Sequence, residues 1–388
     1  MSPAMTDHAA DLLLANARLV LADRVIERGW VAVAGGIIAE FGEGDAPERG
    51  EDVAGDVIMP GLVELHTDHL EAHYVPRPKV YWDPIAAVVS YDGQIATSGI
   101  TTVLDSLRVW REETVKSADG DAVKLAHAIG AARDADLLRC EHFLHLRCEI
   151  PMPGVVEEAS ELITRPDVRL ASLMDHTPGQ RQFRDQAKLR TYYRGKTGGM
   201  NDAELDRLFA RRVELQKLNG ETNHRTIVAL AHQHKTPLAS HDDTTAEHVA
   251  EAVRDGVAIA EFPTTFEAAA ALHQAGIRVL MGAPNLVRDG SHSGNVASRE
   301  LAGAGLLDIL SSDYVPSSLL MAAMVMPEVV PGIDLAAAVR TVTKTPAEAV
   351  GLDDRGEIAP GKRADLIRVH RGAVPVVRCV WRQGRRVA

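Results

Sequence analysis

The stretch Pro60-Gly61-Leu62-Val63-Glu64-Leu65-His66-Thr67-Asp68 sets an imidazole and a carboxylate two residues apart at the end of an apolar run. Side chains alternate along a strand, so His66 and Asp68 face the same way and can share one divalent cation. A second stretch, Phe143-Leu144-His145-Leu146-Arg147-Cys148-Glu149, puts His145, Arg147 and Glu149 on one face of another strand. Ionisable groups on a buried face need compensation, because unpaired burial is costly. A metal, an anionic substrate and a local Arg147–Glu149 ion pair each meet that need; Glu149 is read as a metal ligand and Arg147 as an anion-binding group. His176, in Leu173-Met174-Asp175-His176, and His241, in Ala239-Ser240-His241-Asp242-Asp243, each close an apolar strand and offer the imidazole nitrogen that divalent ions commonly take. Asp313 follows Leu310-Ser311-Ser312 at the end of a last strand. A carboxylate there can share the metal and take a proton from the attacking water.

Loops carry a second chemistry. Arg77 and Lys79 are interleaved with Pro76 and Pro78, which stiffen the loop and lower the entropy of presenting two cations to a phosphate. Arg181 lies between Gln180 and Gln182, and Arg288 precedes Ser291-His292-Ser293-Gly294-Asn295. Gly290 and Gly294 let backbone N–H groups in that second loop approach a ligand closely. Arg77, Lys79, Arg147, Arg181, Arg288, His292 and Asn295 are therefore the substrate-binding candidates, although each loop cation alone reads equally as surface charge.

These side chains need elements that bring them together. Short apolar strands at 61–68, 101–106, 143–149, 170–177, 238–243, 259–263, 279–283 and 306–313 alternate with helical stretches at 203–218, 246–255, 266–275 and 335–342. That pattern implies βα units around a parallel sheet, and eight strands fit an α/β fold of the (β/α)8 TIM-type barrel kind. In such a barrel the strand C-termini converge on one face, which carries the active site. Nearly every strand candidate ends in a His or an acid: His66/Asp68, Asp105, His145/Glu149, Asp175/His176, His241/Asp242, Glu261 and Asp313. Short strands at 12–21, 31–33 and 37–41, and again at 365–369 and 374–378, are too few at either end to close a core alone. Paired, they form one small β domain from both termini, giving 1–58 and 351–388 as its halves and 59–350 as the barrel.

Composition sets outer limits. With 388 residues, 46% of them hydrophobic, the chain can build a large core. A formal net charge of −12 argues against coating nucleic acid or an anionic membrane, while leaving room for an anionic small molecule at a locally cationic cleft. Cys140, Cys148 and Cys379 form no CxxC pair; they read as buried small hydrophobes in a reducing cytoplasm rather than as nucleophiles or a disulfide framework. No basic leader and no uncharged span of bilayer length is evident.

The strand-end His-x-Asp, the later histidines, Asp313 and the return segment Gly356-Glu357-Ile358-Ala359-Pro360-Gly361-Lys362-Arg363-Ala364-Asp365-Leu366 resemble the amidohydrolase superfamily. Four stretches are more specific: Glu64–Asp68, Pro76–Val80, Ser172–His176 with Pro178–Phe183, and Met281–Asn285 with Gly290–Val296. They resemble the branch that hydrolyses ribose 1-methylphosphonate 5-triphosphates to the 5-phosphate and pyrophosphate, in the carbon–phosphorus lyase route of phosphonate use. The resemblance implies a divalent metal cofactor (zinc, manganese or iron, as one ion or two), a small phosphorylated ribose phosphonate as partner, and a homodimer as a reasonable assembly. Two departures from the superfamily pattern stand out. Asp68 replaces the usual second histidine of the first strand, and Glu149 stands in for a metal-bridging lysine. Hydrolysis of a C–N bond, in a cyclic amide or an N-acyl sugar, is the alternative chemistry for the same centre. A catalytically dead scaffold would have no need of so many converging polar groups.

Overall fold

The computed structural model describes residues 11–77, 79–110, 121–181, 189–190, 193–194, 200–291 and 294–388. Two sheets organise them. Strands β1 (Leu12–Val20), β2 (Val25–Ala34), β3 (Ile37–Glu43), β4 (Glu51–Asp52) and β5 (Val57–Pro60) come from the N-terminal part. They join β14 (Leu366–His370), β15 (Val376–Arg382) and β16 (Arg385–Arg386) from the C-terminal part in one sheet of order β16-β15-β14-β5-β1-β2-β3. The join is β5, parallel to β1 and antiparallel to β14, so the boundary drawn at 58/59 falls inside this strand.

The other sheet is wholly parallel: β6 (Leu62–Thr67), β7 (Ile100–Val109), β8 (Glu141–Glu149), β9 (Val168–Met174), β10 (Leu238–His241), β11 (Ile259–Glu261), β12 (Arg278–Gly282) and β13 (Ile309–Ser311), paired in chain order. A bridge between Thr67 and Asp313, with the Asp313 N–H donating to the His66 carbonyl at 3.1 Å, links β13 back to β6. Each strand expected from the sequence is present, and the barrel is the expected one.

One apolar layer fills the barrel, with a residue from every strand: Leu65, Leu104, Phe143, Leu170, Ala239, Ile259, Leu280 and Ile309. From β7 onward, the residue two positions further along each strand projects into the next layer up. That layer reads Ser106, His145, Ser172, His241, Glu261, Gly282 and Ser311. The site is thus built one strand period above a hydrophobic floor.

The same alternation corrects one expectation. Leu104 and Ser106 face inward, so Asp105 faces out, buried beneath helix Pro84–Thr97. There His142 bridges two carboxylates, with Nδ1 2.8 Å from Asp105 and Nε2 3.2 Å from Asp92. Burial opposes protonation of His142, but Asp105 and Asp92 outweigh it and raise its pKa to about 9. Unfolded imidazole titrates near 6.5, so this stabilisation is complete below about pH 6.5 and is lost as pH rises through about 9. His142→Gln leaves the buried Asp105 without its cation, while Asp92 keeps Arg139 at 3.2 Å, and is expected to cost about 3–5 kcal/mol near neutral pH. Denaturant unfolding between pH 6 and 10 checks this: wild-type stability should fall toward the alkaline end, and the variant should lose that slope.

A second difference is the helix expected at 203–218, which runs from Asp202 to His234. Its start is fixed by a capping box between Asn201 and Glu204. Gly220 does not end it, although an internal glycine weakens a helix by about 1 kcal/mol. Asn219 and Asn223 dock the helix by donating to the carbonyls of Pro151 and Ile150. Cys140, Cys148 and Cys379 are buried free thiols, and burial pushes Cys148 up to about 12, away from nucleophilic use. No helix among the described residues is long and apolar enough to cross a membrane.

Candidate metal centre and anion site

Glu261, at the end of β11, is the hub of the polar layer. Its Oε1 lies 2.9 Å from His66 Nδ1, and its Oε2 lies 3.1 Å from His241 Nδ1 and accepts from Ser172 Oγ at 2.7 Å. Burial disfavours its charge, yet the adjacent His66 and the hydrogen bonds from His241 and His66 hold its pKa well below the usual carboxylate range. It is therefore a fixed anion beneath two imidazoles, the arrangement that orients metal-ligating histidines through their second nitrogen. Glu261 was visible in the sequence only as one more strand-end acid; its place two residues above Ile259 is the signal that marks it.

His145 is fully committed to protein partners. Its Nδ1 lies 2.9 Å from the Leu65 carbonyl and 3.1 Å from Ser106 Oγ, and its Nε2 contacts Ser172 Oγ. Burial lowers its pKa to about 3, so the ring is neutral. His66, His145 and Glu261 lie close enough to hold an ion, but their hydrogen bonds already saturate most of the donor set.

The second group of ligand atoms is different. His176, His241 and Asp242 converge, with Asp242 Oδ2 3.5 Å from His241 Nε2 and 4.0 Å from His176 Nε2. Those separations are too long for good hydrogen bonds and suit a cation placed between the three. Each imidazole is oriented from behind: His241 by Glu261, and His176 by Glu149, whose Oε2 is 2.5 Å from His176 Nδ1 and whose Oε1 accepts the His176 N–H at 2.8 Å. Burial opposes ionisation of Glu149, but His176 outweighs it and brings its pKa down to about 2. A set of two imidazoles and a carboxylate fits zinc, manganese or iron(II). Glu261→Gln is expected to weaken metal binding about 10- to 100-fold while leaving the three ligand atoms in place, measured by competition with a chelating dye.

The backbone turns sharply at this level. Asp242, Phe262 and Asp313, at the ends of three strands, have φ of 58°, 54° and 53°. The left-handed region is uncommon outside glycine, is tolerated better by Asp, and clusters at functional sites. Glu64 fixes the first and last strands relative to one another, accepting the His66 N–H at 2.7 Å and the Ser312 N–H at 2.6 Å. Asp313 sits beside this clamp, and burial together with the charge of Asp68 raises its pKa to about 7.

Of the ligands expected from sequence, His176 and His241 lie in the convergent group, and Glu149 and His66 lie immediately behind or beside it. Asp68 lies apart from both groups of ligand atoms. Its Oδ2 receives Arg108 at 3.2 Å and Arg147 at 3.4 Å, so the local Arg147–Glu149 pair is replaced by an Arg147–Asp68 pair. Asp175 caps its own turn by accepting the Thr177 N–H.

The loop cations fare unevenly. Arg77 and Lys79 are exposed on a turn closed by the Val80 N–H to the Arg77 carbonyl, in the connection that follows β6. Arg288 is exposed at the end of helix Ala283–Arg288 and contacts the Tyr314 hydroxyl at 3.5 Å. Asn295 lies in a loop pinned by Asn285, which binds the Val296 carbonyl and the Ser298 N–H. Arg181 is occupied by Asp243, Glu251 and the His241 carbonyl, so it braces β10 rather than pointing a bare charge at solvent. His292 lies outside the described residues.

A sequence profile described as the amidohydrolase family matches residues 94–388. The chain belongs to the amidohydrolase family. This amidohydrolase is 46% identical over 380 residues to the alpha-D-ribose 1-methylphosphonate 5-triphosphate diphosphatase of Escherichia coli K12, covering 97% of the chain and 100% of that relative. It is 26% identical to an adenine deaminase of Methanoregula boonei and covers 59% of its length. Among solved structures, the N-isopropylammelide isopropylaminohydrolase of Burkholderia multivorans superimposes with a TM-score of 0.65 at 19% identity, with 97% of each chain covered. The N-acetyl-D-glucosamine-6-phosphate deacetylase of Mycobacterium smegmatis superimposes with a TM-score of 0.63 at 16% identity, covering 97% of this chain and 100% of the other. At those identities the superpositions establish the shared fold.

Proposed function

We propose that this amidohydrolase hydrolyses α-D-ribose 1-methylphosphonate 5-triphosphate to the 5-phosphate and pyrophosphate, in the cytoplasm, as a step of phosphonate breakdown. The reading is carried by end-to-end identity of 46% to a diphosphatase of that name, over a chain whose strand ends form a metal-competent centre with arginines beside it. C–N hydrolysis rests on relatives at 26% identity and gives no account of the cationic groups around the centre.

In this reading the barrel, 59–350, carries the chemistry and the terminal β sheet supports it. His176, His241 and Asp242 hold a divalent cation (zinc, manganese or iron), with Glu149 and Glu261 fixing the two imidazoles. A cation held there neutralises charge on phosphate oxygens and lowers the pKa of the attacking water. Asp313 accepts the proton of that water. Arg147 holds phosphate oxygens, and Arg77, Lys79, Arg288 and Asn295 line the approach for the remaining anionic groups. Phosphoanhydride cleavage asks the protein mainly for positioning and charge stabilisation, which these groups supply.

The test is turnover of the ribose triphosphate phosphonate by purified protein supplied with Mn²⁺, Fe²⁺ or Zn²⁺, with adenine and an N-acyl sugar phosphate as parallel substrates. Pyrophosphate release that depends on added metal is the expected result. Amine or acetate release without pyrophosphate would overturn the reading.

A further inference from the structure

Arg108 has no place in the sequence-based site, yet it stands beside Arg147. The two are register partners on neighbouring parallel strands, in line with the Ser106–His145 pair one step below. Both reach one oxygen of Asp68, at 3.2 Å and 3.4 Å. Those contacts are long for charge-assisted hydrogen bonds, which close to about 2.7–2.9 Å. Arg147 is buried, and its Nε has no hydrogen-bond partner. Arg108 is anchored from the other side by Glu71 at 2.9 Å, on helix His69–Tyr74. Asp68 itself precedes that helix without capping it through its side chain. The Asp68 oxygen thus meets both guanidinium groups only at long range, and the buried Arg147 Nε donor goes unused. A phosphoryl group, with its several oxygens, is the better match for two adjacent forks.

We infer that Arg108 and Arg147 together form a binding site for adjoining phosphoryl groups of a polyphosphate chain, in which Asp68 is the resident counter-ion that such a ligand displaces. The inference rests on the proposed function only for the natural source of that chain. Position assigns the pair to the end being cleaved. Arg147 lies close enough to His66, His145, His241 and Asp313 for its charge to act on all four. Arg77, Lys79 and Arg288 are exposed on outer loops and suit a more distant anionic group.

Calorimetric titration of the purified, metal-loaded protein with inorganic pyrophosphate, and separately with methylphosphonate, tests the pair. Arg108→Gln should weaken pyrophosphate at least about tenfold and leave methylphosphonate within about twofold, with Arg108→Lys in between. Asp68→Asn, which removes the competing carboxylate, should tighten pyrophosphate. Pyrophosphate affinity within about twofold of wild type in a folded Arg108→Gln protein overturns the inference, as does equal loss of both ligands. Should Arg108→Gln not fold, Asp68→Asn decides: weaker pyrophosphate binding overturns the inference. Because pyrophosphate binding needs no turnover, Arg108-dependent binding without cleavage of the ribose triphosphate phosphonate sinks the proposed reaction alone. Cleavage with Arg108-independent binding sinks this inference alone.

Discussion

Asp313→Asn is expected to lower turnover about 10²- to 10⁴-fold, the span that a positioned acid or base contributes, while metal content stays at the wild-type level. The amide keeps the size and shape of the carboxylate but accepts no proton from water. Its backbone position is set independently of the side chain, by the Asp313 N–H on the His66 carbonyl and by the Glu64 clamp on the neighbouring Ser312 N–H. Asn also tolerates the left-handed backbone that Asp313 adopts. The substitution therefore removes proton acceptance with little cost to the fold. Steady-state rates paired with elemental analysis of the same samples check it. Turnover above half of wild type would remove Asp313 from the base role, and parallel loss of metal would make it a ligand.

His241→Ala should have the other large effect, loss of bound metal. The ring contributes Nε2 to the convergent group and is held through Nδ1 by Glu261. With it gone, Glu261 also loses one of its two hydrogen-bonded imidazoles. Metal content is expected to fall to about a tenth of wild type or less after dialysis, because a site left with one imidazole and one carboxylate has too few ligands. The matching control is His145→Gln. His145 spends its nitrogens on Leu65, Ser106 and Ser172, so that variant should keep its metal. Loss of metal from His145→Gln with retention in His241→Ala would move the centre to the inner group.

Much of this was legible in the sequence, for a physical reason. Barrel strands are short apolar runs, and a polar residue at the end of such a run has few places to go other than the C-terminal face. The eight strands were legible that way, as was the placement of His176, His241 and Asp313 at strand ends. What was not legible depends on contacts between elements. Asp68 looks like the natural partner of His66 at two-residue spacing, yet β6 breaks register between Glu64 and Thr67, and Asp68 meets Arg108 and Arg147 instead. Glu149 ends its strand like the other acids, and its contact with His176 appears only once the strands are assembled. Asp105 shares the strand-end pattern and points the other way, which the inward Leu104 would have revealed had the apolar layer been set first. Glu261 stood out only as one more strand-end acid, and Ser172 and Arg108 had no assigned role, because a single acid, serine or arginine in a strand carries little signal until its neighbours are known.

The most direct test of the central claim is ³¹P NMR of the metal-loaded protein acting on α-D-ribose 1-methylphosphonate 5-triphosphate. The expected spectrum shows pyrophosphate and the 5-phosphate monoester appearing together in equal amounts, with the phosphonate resonance intact and the reaction stopped by chelator. A triphosphate that persists while a C–N substrate is consumed, or orthophosphate released in place of pyrophosphate, would contradict it.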